Sequence, residues 1–417
     1  MPHLLIDGGR RLNGTVAIHG AKNAVLPLLA ATLLADGESV LHNAPQLSDV
    51  EGCLEILSGF GCRTTQEGDT ITVCADAADT PSITDELMRK MRSSIVFLGA
   101  MMARFGEAHL SYPGGCELGP RPIDLHLAAF RLMGAEIHEE GGQLHAFLPE
   151  GRFLGNTVSL SFPSVGATEN ILLAAVTAKG TTTILNAARE PEIIDLAAYL
   201  SACGARIHID GGTITVEGVE RLTACTHTVI PDRIEAATYM AAVAVTGGSA
   251  VLERLCPAHI ATVLPVFAEM GCRISEFPQQ IVLNAPARLN RIPFLRTMPY
   301  PGFPTDAAAP LLAAATVANG TSVFVESIFE SRYKYVGELA RMGAHIKIES
   351  RVAIVEGVPS LSGAAVDCTD LRGGAALVIA ALAAEGRTVI GELTHLDRGY
   401  DHLEDTLTAL GARVQRK

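Results

Sequence analysis

The chain of 417 residues carries a formal charge of -13, with 32 Lys and Arg against 45 Asp and Glu. That balance excludes a general nucleic-acid or membrane-surface binder, and an anionic ligand would need a local cluster of cations. Few charged residues, abundant alanine and glycine and no tryptophan describe packed domains rather than disorder, and the length asks for two or three of them.

Nine cysteines at irregular spacing, with no CxxC and no Cys/His ligand set, give neither a disulfide framework nor a zinc site, and they fit a reducing compartment. The N-terminus lacks the charged-then-apolar plan of a signal peptide, and no apolar run is long enough to span a bilayer. The expected location is the cytoplasm.

Taken in order, the chain alternates two phrases. The first reads apolar or Cys, Gly, small, polar: Phe60-Gly61-Cys62-Arg63, Met133-Gly134-Ala135-Glu136, Cys203-Gly204-Ala205-Arg206, Met270-Gly271-Cys272-Arg273, Met342-Gly343-Ala344-His345 and Leu410-Gly411-Ala412-Arg413. Each glycine is expected to close an amphipathic helix, clearest in Leu196 to Cys203 and Leu403 to Leu410, because glycine reaches the left-handed conformation without a Cβ clash. The second phrase is a small, apolar run ending at Gly37, Gly106, Gly180, Gly248, Gly320 or Gly386. Apolar nearly all round, such runs predict helices buried on every side.

A period of about 70 residues thus repeats six times. The expected fold is α/β: two domains, each an inside-out barrel of three βαβαββ-like repeats with buried helices at the centre. A doubly wound parallel sheet fits less well, since it needs one-faced helices and a GxGxxG turn.

Within the second repeat, Tyr112 to Leu127 reads as a loop broken at Pro113, Gly114, Gly115, Gly119 and Pro120, ending where a helix begins near Ile123. It places Cys116 between Gly115 and Glu117, close to Arg121. Free cysteine is usually buried, so this thiol reads either as exposed and activated or as incidental to a surface turn. Cys53, Cys62, Cys203, Cys272 and Cys368 fall in or beside repeat elements and read as core.

Counting back 14 or 15 residues from each glycine that ends a buried helix reaches Lys22, Arg92, Gly166, Arg233, Asp306 and Arg372. Capping accounts for Ser, Thr, Asp and Asn there. It does not account for Lys22, Arg92 or Arg372, since cations oppose the positive end of a helix dipole. An anion held between helix N-termini would account for them.

The chain resembles the enolpyruvyl transferase family. The resemblance rests on Gly20 to Ala24, Pro113 to Cys116 with Gly119 to Asp124, Ser164 to Thr168, Ala187 to Glu192, Pro231 to Glu235, Phe303 to Asp306, Arg341 to His345 and Asp397 to Tyr400, in order along nearly the whole chain. It implies transfer of the enolpyruvyl group of phosphoenolpyruvate to UDP-N-acetylglucosamine, by addition and then elimination of phosphate, with no metal and no other cofactor, at the entry to peptidoglycan synthesis. It also implies that the first strand belongs with the C-terminal domain, so that one domain is expected over 22–230 and the other over 1–21 and 231–417, with the active site in the cleft between them.

Carried over, Lys22, Asn23, Arg121 and Arg398 hold phosphoenolpyruvate. Arg92, Arg121, Pro122, Ile123, Asp124, Leu125, Ser164, Val165, Asp306 and Ile328 line the sugar-nucleotide side. Cys116 is the candidate acid and Asp306 the candidate base, with Lys22 and Arg398 stabilising charge and Arg372 a further candidate. His126 reads as a helix-surface or hydrogen-bonding residue, and Glu190 and Glu192 as helix-start acids.

Three departures qualify the resemblance, one of them Gly373-Gly374, which varies within a familiar segment. Phe162-Pro163 stands where some members carry a nucleotide-binding lysine, and Ser331 to Lys334 varies within a familiar segment. The alternatives are an acceptor of shikimate-3-phosphate type and a non-catalytic sugar-nucleotide sensor.

Overall fold

The computed structural model describes residues 2–90, 92–112 and 123–417. Two compact units account for them, the first within 20–230, the second formed by 1–19 together with 231–417. The first passage lies between His19 and Gly20, two residues before the boundary that the resemblance implies. The Ala21 N–H donates to Ile230 O at 2.7 Å, which ties this stretch to the first unit.

The helices of the first unit are α1 (Lys22–Thr32), α2 (Ser48–Gly59), α3 (Asp85–Lys90), α4 (Phe97–Phe105), α5 (Asp124–Leu132), α6 (Val165–Ala175) and α7 (Pro191–Ala202). Those of the second are α8 (Arg233–Val245), α9 (Leu264–Glu269), α10 (Thr305–Ala315), α11 (Val336–Arg341), α12 (Leu371–Ala383) and α13 (Leu403–Ala409). As their apolar runs predict, α1, α4, α6, α8, α10 and α12 are the buried ones: every residue of α8 from Ile234 to Ala244 is buried, and so is every residue of α12 from Arg372 to Leu382. In the second unit α8, α10 and α12 all pack on one another. In the first, α4 packs on α1 and α6. Gly99 allows the α4–α6 approach, because a Cβ there would lie 2.4 Å from Asn170 O.

Small mixed sheets surround these helices. In the first unit, strand 157–159 pairs parallel with 181–185, which continues antiparallel to 213–217 and then 206–210. Strands 321–325, 352–356 and 345–349 of the second unit repeat that order beside 295–296. Period-two alternation buries one face, as at Ile184 opposite Ile214.

Two strands leave their own repeat. Strand 13–17 precedes α1 yet pairs parallel with 249–253 of the second unit. Strand 226–228 precedes α8 yet pairs parallel with 38–42 of the first. Strand 4–7 lies between 387–391 and 413–416.

The glycines that follow the outer helices behave as the first phrase predicts. Gly61, Gly134, Gly204, Gly271, Gly343 and Gly411 have φ between 92° and 107°, where a side chain would be strained. Gly248 differs from the glycines ending the other buried runs: the left-handed residue is Gly247, at φ 65°. Gly248 is fixed instead by space, since a Cβ would meet Leu12 O at 2.0 Å.

Candidate functional site

The six positions counted back from the glycines all fall at the first or second residue of a helix. Lys22 and Arg233 begin α1 and α8. Gly166, Asp306 and Arg372 are second in α6, α10 and α12, and Arg92 begins the 3-10 stretch Arg92–Val96 that leads into α4. Capping explains three starts: Ser164 accepts from Ala167 N–H, Asp232 from Ile234 and Glu235, and Asp370 from Arg372 and Gly373.

The first unit surrounds the start of α1 with buried groups. Lys22 is 7% exposed, and its Nζ lies 2.7 Å from Oδ2 of the buried Asp49, in the first turn of α2. The cation that opposes the helix dipole is therefore held by a carboxylate of the protein itself. Asn23 follows, half-buried. Pro27 inside α1 has no N–H, which leaves the Asn23 carbonyl without its helical donor.

The segments Ile123–Leu125 and Ser164–Val165 are linked through the helices they start. His126 of α5 is buried, and its Nδ1 lies 3.1 Å from Nδ2 of Asn170 in α6. Asn170 Oδ1 in turn accepts the Gly99 N–H at 2.7 Å. Burial pushes the His126 ring down to about 4, opposed by the charge of Asp124, so the ring is neutral at neutral pH. It is thus the hydrogen-bonding residue of the two expectations, not a helix-surface one. Glu190 and Glu192 stand at the start of α7, both buried. Glu169 of α6 is raised well above the usual carboxylate range, by burial first and then by their charges.

The second unit gathers Asp306, Ile328 and Arg372. Asp306 Oδ1 accepts from Arg332 at 2.9 Å, and Oδ2 from Arg372 at 3.1 Å. Both arginines are 2% exposed, while the Asp306 side chain is 26% exposed. Burial by itself lowers the pKa of Arg372, but the charges of Asp306 and Tyr400 outweigh it and raise the pKa. Tyr400 adds a hydrogen bond to Arg372 and stacks its ring on the guanidinium.

Glu326 joins Ile328 to this group. One of its oxygens accepts the N–H of Ile328 and Phe329, and the other the hydroxyl of Thr305, the residue before Asp306. Arg398 ends the 3-10 stretch Leu393–Arg398, which packs on α12.

Cys116, Arg121 and Pro122 lie outside the described residues. The five cysteines read as core are all buried. Burial pushes Cys62 up to about 11 and Cys272 and Cys368 to about 12, far from a reactive thiolate.

The sequence reading missed Asp49, Glu326 and Arg332. A signal was present for two of them: Pro27 and Pro310 are 283 residues apart, and so are Asp49 and Arg332.

A family model described as EPSP synthase (3-phosphoshikimate 1-carboxyvinyltransferase) matches residues 6–407. The chain is 49% identical over 418 residues to a Symbiobacterium thermophilum protein named UDP-N-acetylglucosamine 1-carboxyvinyltransferase 1, covering 99% of this chain and 94% of that one. A Psychrobacter protein named UDP-N-acetylglucosamine 1-carboxyvinyltransferase is 46% identical, over 100% of this chain and 96% of its own. Among solved structures, the enolpyruvyl transferase NikO from Streptomyces tendae superposes with a TM-score of 0.90 at 26% identity, covering 100% of this chain and 99% of NikO. An EPSP synthase from Acinetobacter baumannii superposes at 0.77 and 19% identity over 100% of both chains, a likeness of fold.

Proposed function

We propose, because the chain belongs to the enolpyruvyl transferase family, that it transfers the enolpyruvyl group of phosphoenolpyruvate to the 3-hydroxyl of UDP-N-acetylglucosamine and releases phosphate. The observation that carries this is identity of 46% to 49%, over nearly the full length, to proteins named for that transfer. The acceptor follows from those relatives rather than from the fold, which is also that of an EPSP synthase. The product enters peptidoglycan synthesis.

The chemistry needs a proton delivered to the methylene carbon of the donor while the sugar hydroxyl loses one and its oxygen bonds to the adjacent carbon. Loss of a methyl proton with departure of phosphate then restores the double bond. We assign the acid to Cys116 and the base to Asp306. Support for the base is its setting: a partly exposed carboxylate at a helix start, oriented through both oxygens by buried arginines. Lys22, Asn23, Arg121 and Arg398 hold the donor, its carboxylate and phosphate being matched by cations and a helix start. Arg92, Arg121, Pro122, Ile123, Asp124, Leu125, Ser164, Val165, Asp306 and Ile328 receive the sugar nucleotide, with Arg372 positioning Asp306.

The same reading takes each unit as an inside-out barrel of three repeats, and the protein as cytoplasmic, without nucleic-acid, membrane or obligatory protein partners. No helix among the described residues is long and apolar enough to cross a membrane.

The test is phosphate release from phosphoenolpyruvate with UDP-N-acetylglucosamine, with shikimate-3-phosphate as control acceptor. Release with the sugar nucleotide alone, lost in Cys116→Ala, is the expected result. Release only with the control acceptor would overturn the acceptor, and binding without release would make the protein a sensor.

A further inference from the structure

One sheet of the first unit carries a histidine row that the proposed reaction does not use. His109, His145 and His138 stand opposite one another on strands 107–111, 143–147 and 136–140. Glu107 lies two residues before His109 and so on the same face. The other face holds the register: Ala108, Leu110, Leu144 and Ala146 are each 2% exposed or less.

Oε2 of Glu107 is 3.5 Å from Nε2 of His109 and 3.9 Å from Nε2 of His145. One ligand atom from each of the three residues lies within 4.8 Å of the others. The rings of His109 and His145 stack at 4.1 Å between centroids, and Phe147 lies 5.6 Å from His145. Nε2 of His145 is covered from solvent and has no hydrogen-bond partner among the described residues.

We propose that Glu107, His109 and His145 bind one Zn2+ ion, with solvent as the fourth ligand. Two imidazole nitrogens and one carboxylate oxygen are donors that zinc accepts, whereas magnesium and calcium take oxygen sets. Bonds of about 2.0–2.1 Å set tetrahedral ligands about 3.3 Å apart, so these side chains close on the ion by small rotations and the strands stay in place. The ion clips strand 107–111 to 143–147 immediately before Tyr112. The row was invisible to a search for Cys/His spacing, because its members meet only through cross-strand pairing.

Calorimetric titration of the metal-free full-length protein with ZnCl2 tests the site, beside His109→Asn/His145→Asn and Glu107→Gln. The double variant should lose one equivalent of binding, about 100-fold or more in affinity, and Glu107→Gln about tenfold. Cysteines compete for zinc, so Co2+ is titrated in parallel. Its first equivalent should give visible bands without the near-ultraviolet thiolate charge-transfer band. Unchanged zinc affinity in the double variant, or a thiolate band at the first equivalent, overturns the proposal. Phosphate release without zinc should stay at the wild-type level in both variants, which reports that they are folded. If the double variant fails that check, Glu107→Gln decides alone, with unchanged affinity counting against the site.

Discussion

Helices α1 and α10 are two versions of one element with opposite charges at the start. Both run Pro-Leu-Leu-Ala-Ala through the core, Pro27 to Ala31 in one and Pro310 to Ala314 in the other. Each proline removes the helical donor from the carbonyl four residues back, that of Asn23 or Asp306. In the first unit a buried lysine meets Asp49. In the second a carboxylate meets Arg332, which stands at the position corresponding to Asp49, together with Arg372. The shared backbone makes a helix start with exposed polarity, and the charge placed there decides its chemical use: a held cation for an anionic donor, a held carboxylate for a hydroxyl.

Asp306→Asn should break the comparison most severely. Loss of the base is expected to cut turnover by about 100- to 10,000-fold, measured as phosphate release at saturating acceptor. Turnover within a few-fold of wild type would remove Asp306 from the chemistry.

Lys22→Ala should destabilise the first unit by about 3–5 kcal/mol, because it leaves Asp49 buried with its lysine gone. Urea unfolding measures this. In Lys22→Ala/Asp49→Ala most of the stability should return while turnover does not, which separates the structural role of the pair from the donor contact proposed for Lys22. A double variant as unstable as the single one would show that the buried carboxylate is not the cause.

The buried His126 gives the first unit a dependence on pH. The His126 ring ionises near 6.5 when unfolded and near 4 when folded, so the folded state binds fewer protons between those values. Its contribution is full above about pH 6.5 and is lost as pH falls toward 4, about 3 kcal/mol in all. Unfolding midpoints at pH 7 and pH 5 should therefore converge in His126→Gln, and an unchanged gap would place the pH dependence elsewhere.

The smallest effect is expected at Glu326→Gln, about 1 kcal/mol, since the amide oxygen still accepts from the Ile328 segment while the amide nitrogen donates to the Thr305 hydroxyl instead of accepting from it. Thermal unfolding with and without the sugar nucleotide should show a larger loss in ligand-induced stabilisation than in stability itself.

Much of this was legible in the sequence because glycine and apolar runs carry strong local signals. The left-handed glycines after the outer helices and the six helix starts follow from one period. The partners of the charged starts did not follow. Lys22 and Arg372 suggested an external anion, whereas Asp49 and Asp306 neutralise them within each unit. Asp49 lies in a helix-start sequence where an acid is unremarkable, and Arg332 lies in a segment that looked like a departure from the family. Their roles are three-dimensional: they depend on which outer helix lies against which buried one. Glu326 sits past a strand end, where no local rule asks for an acid.

The pairing of strand 4–7 with 387–391 and 413–416 also sets an order of events during synthesis. The strands of the first unit all lie within 20–230, and its sheets need no later residue. Strand 4–7 must wait for residues about 380 positions later, which at about 5–20 residues per second is about 20–80 s. For that interval strand 4–7 lacks both of its neighbours, so a strand made early is among the last to be paired.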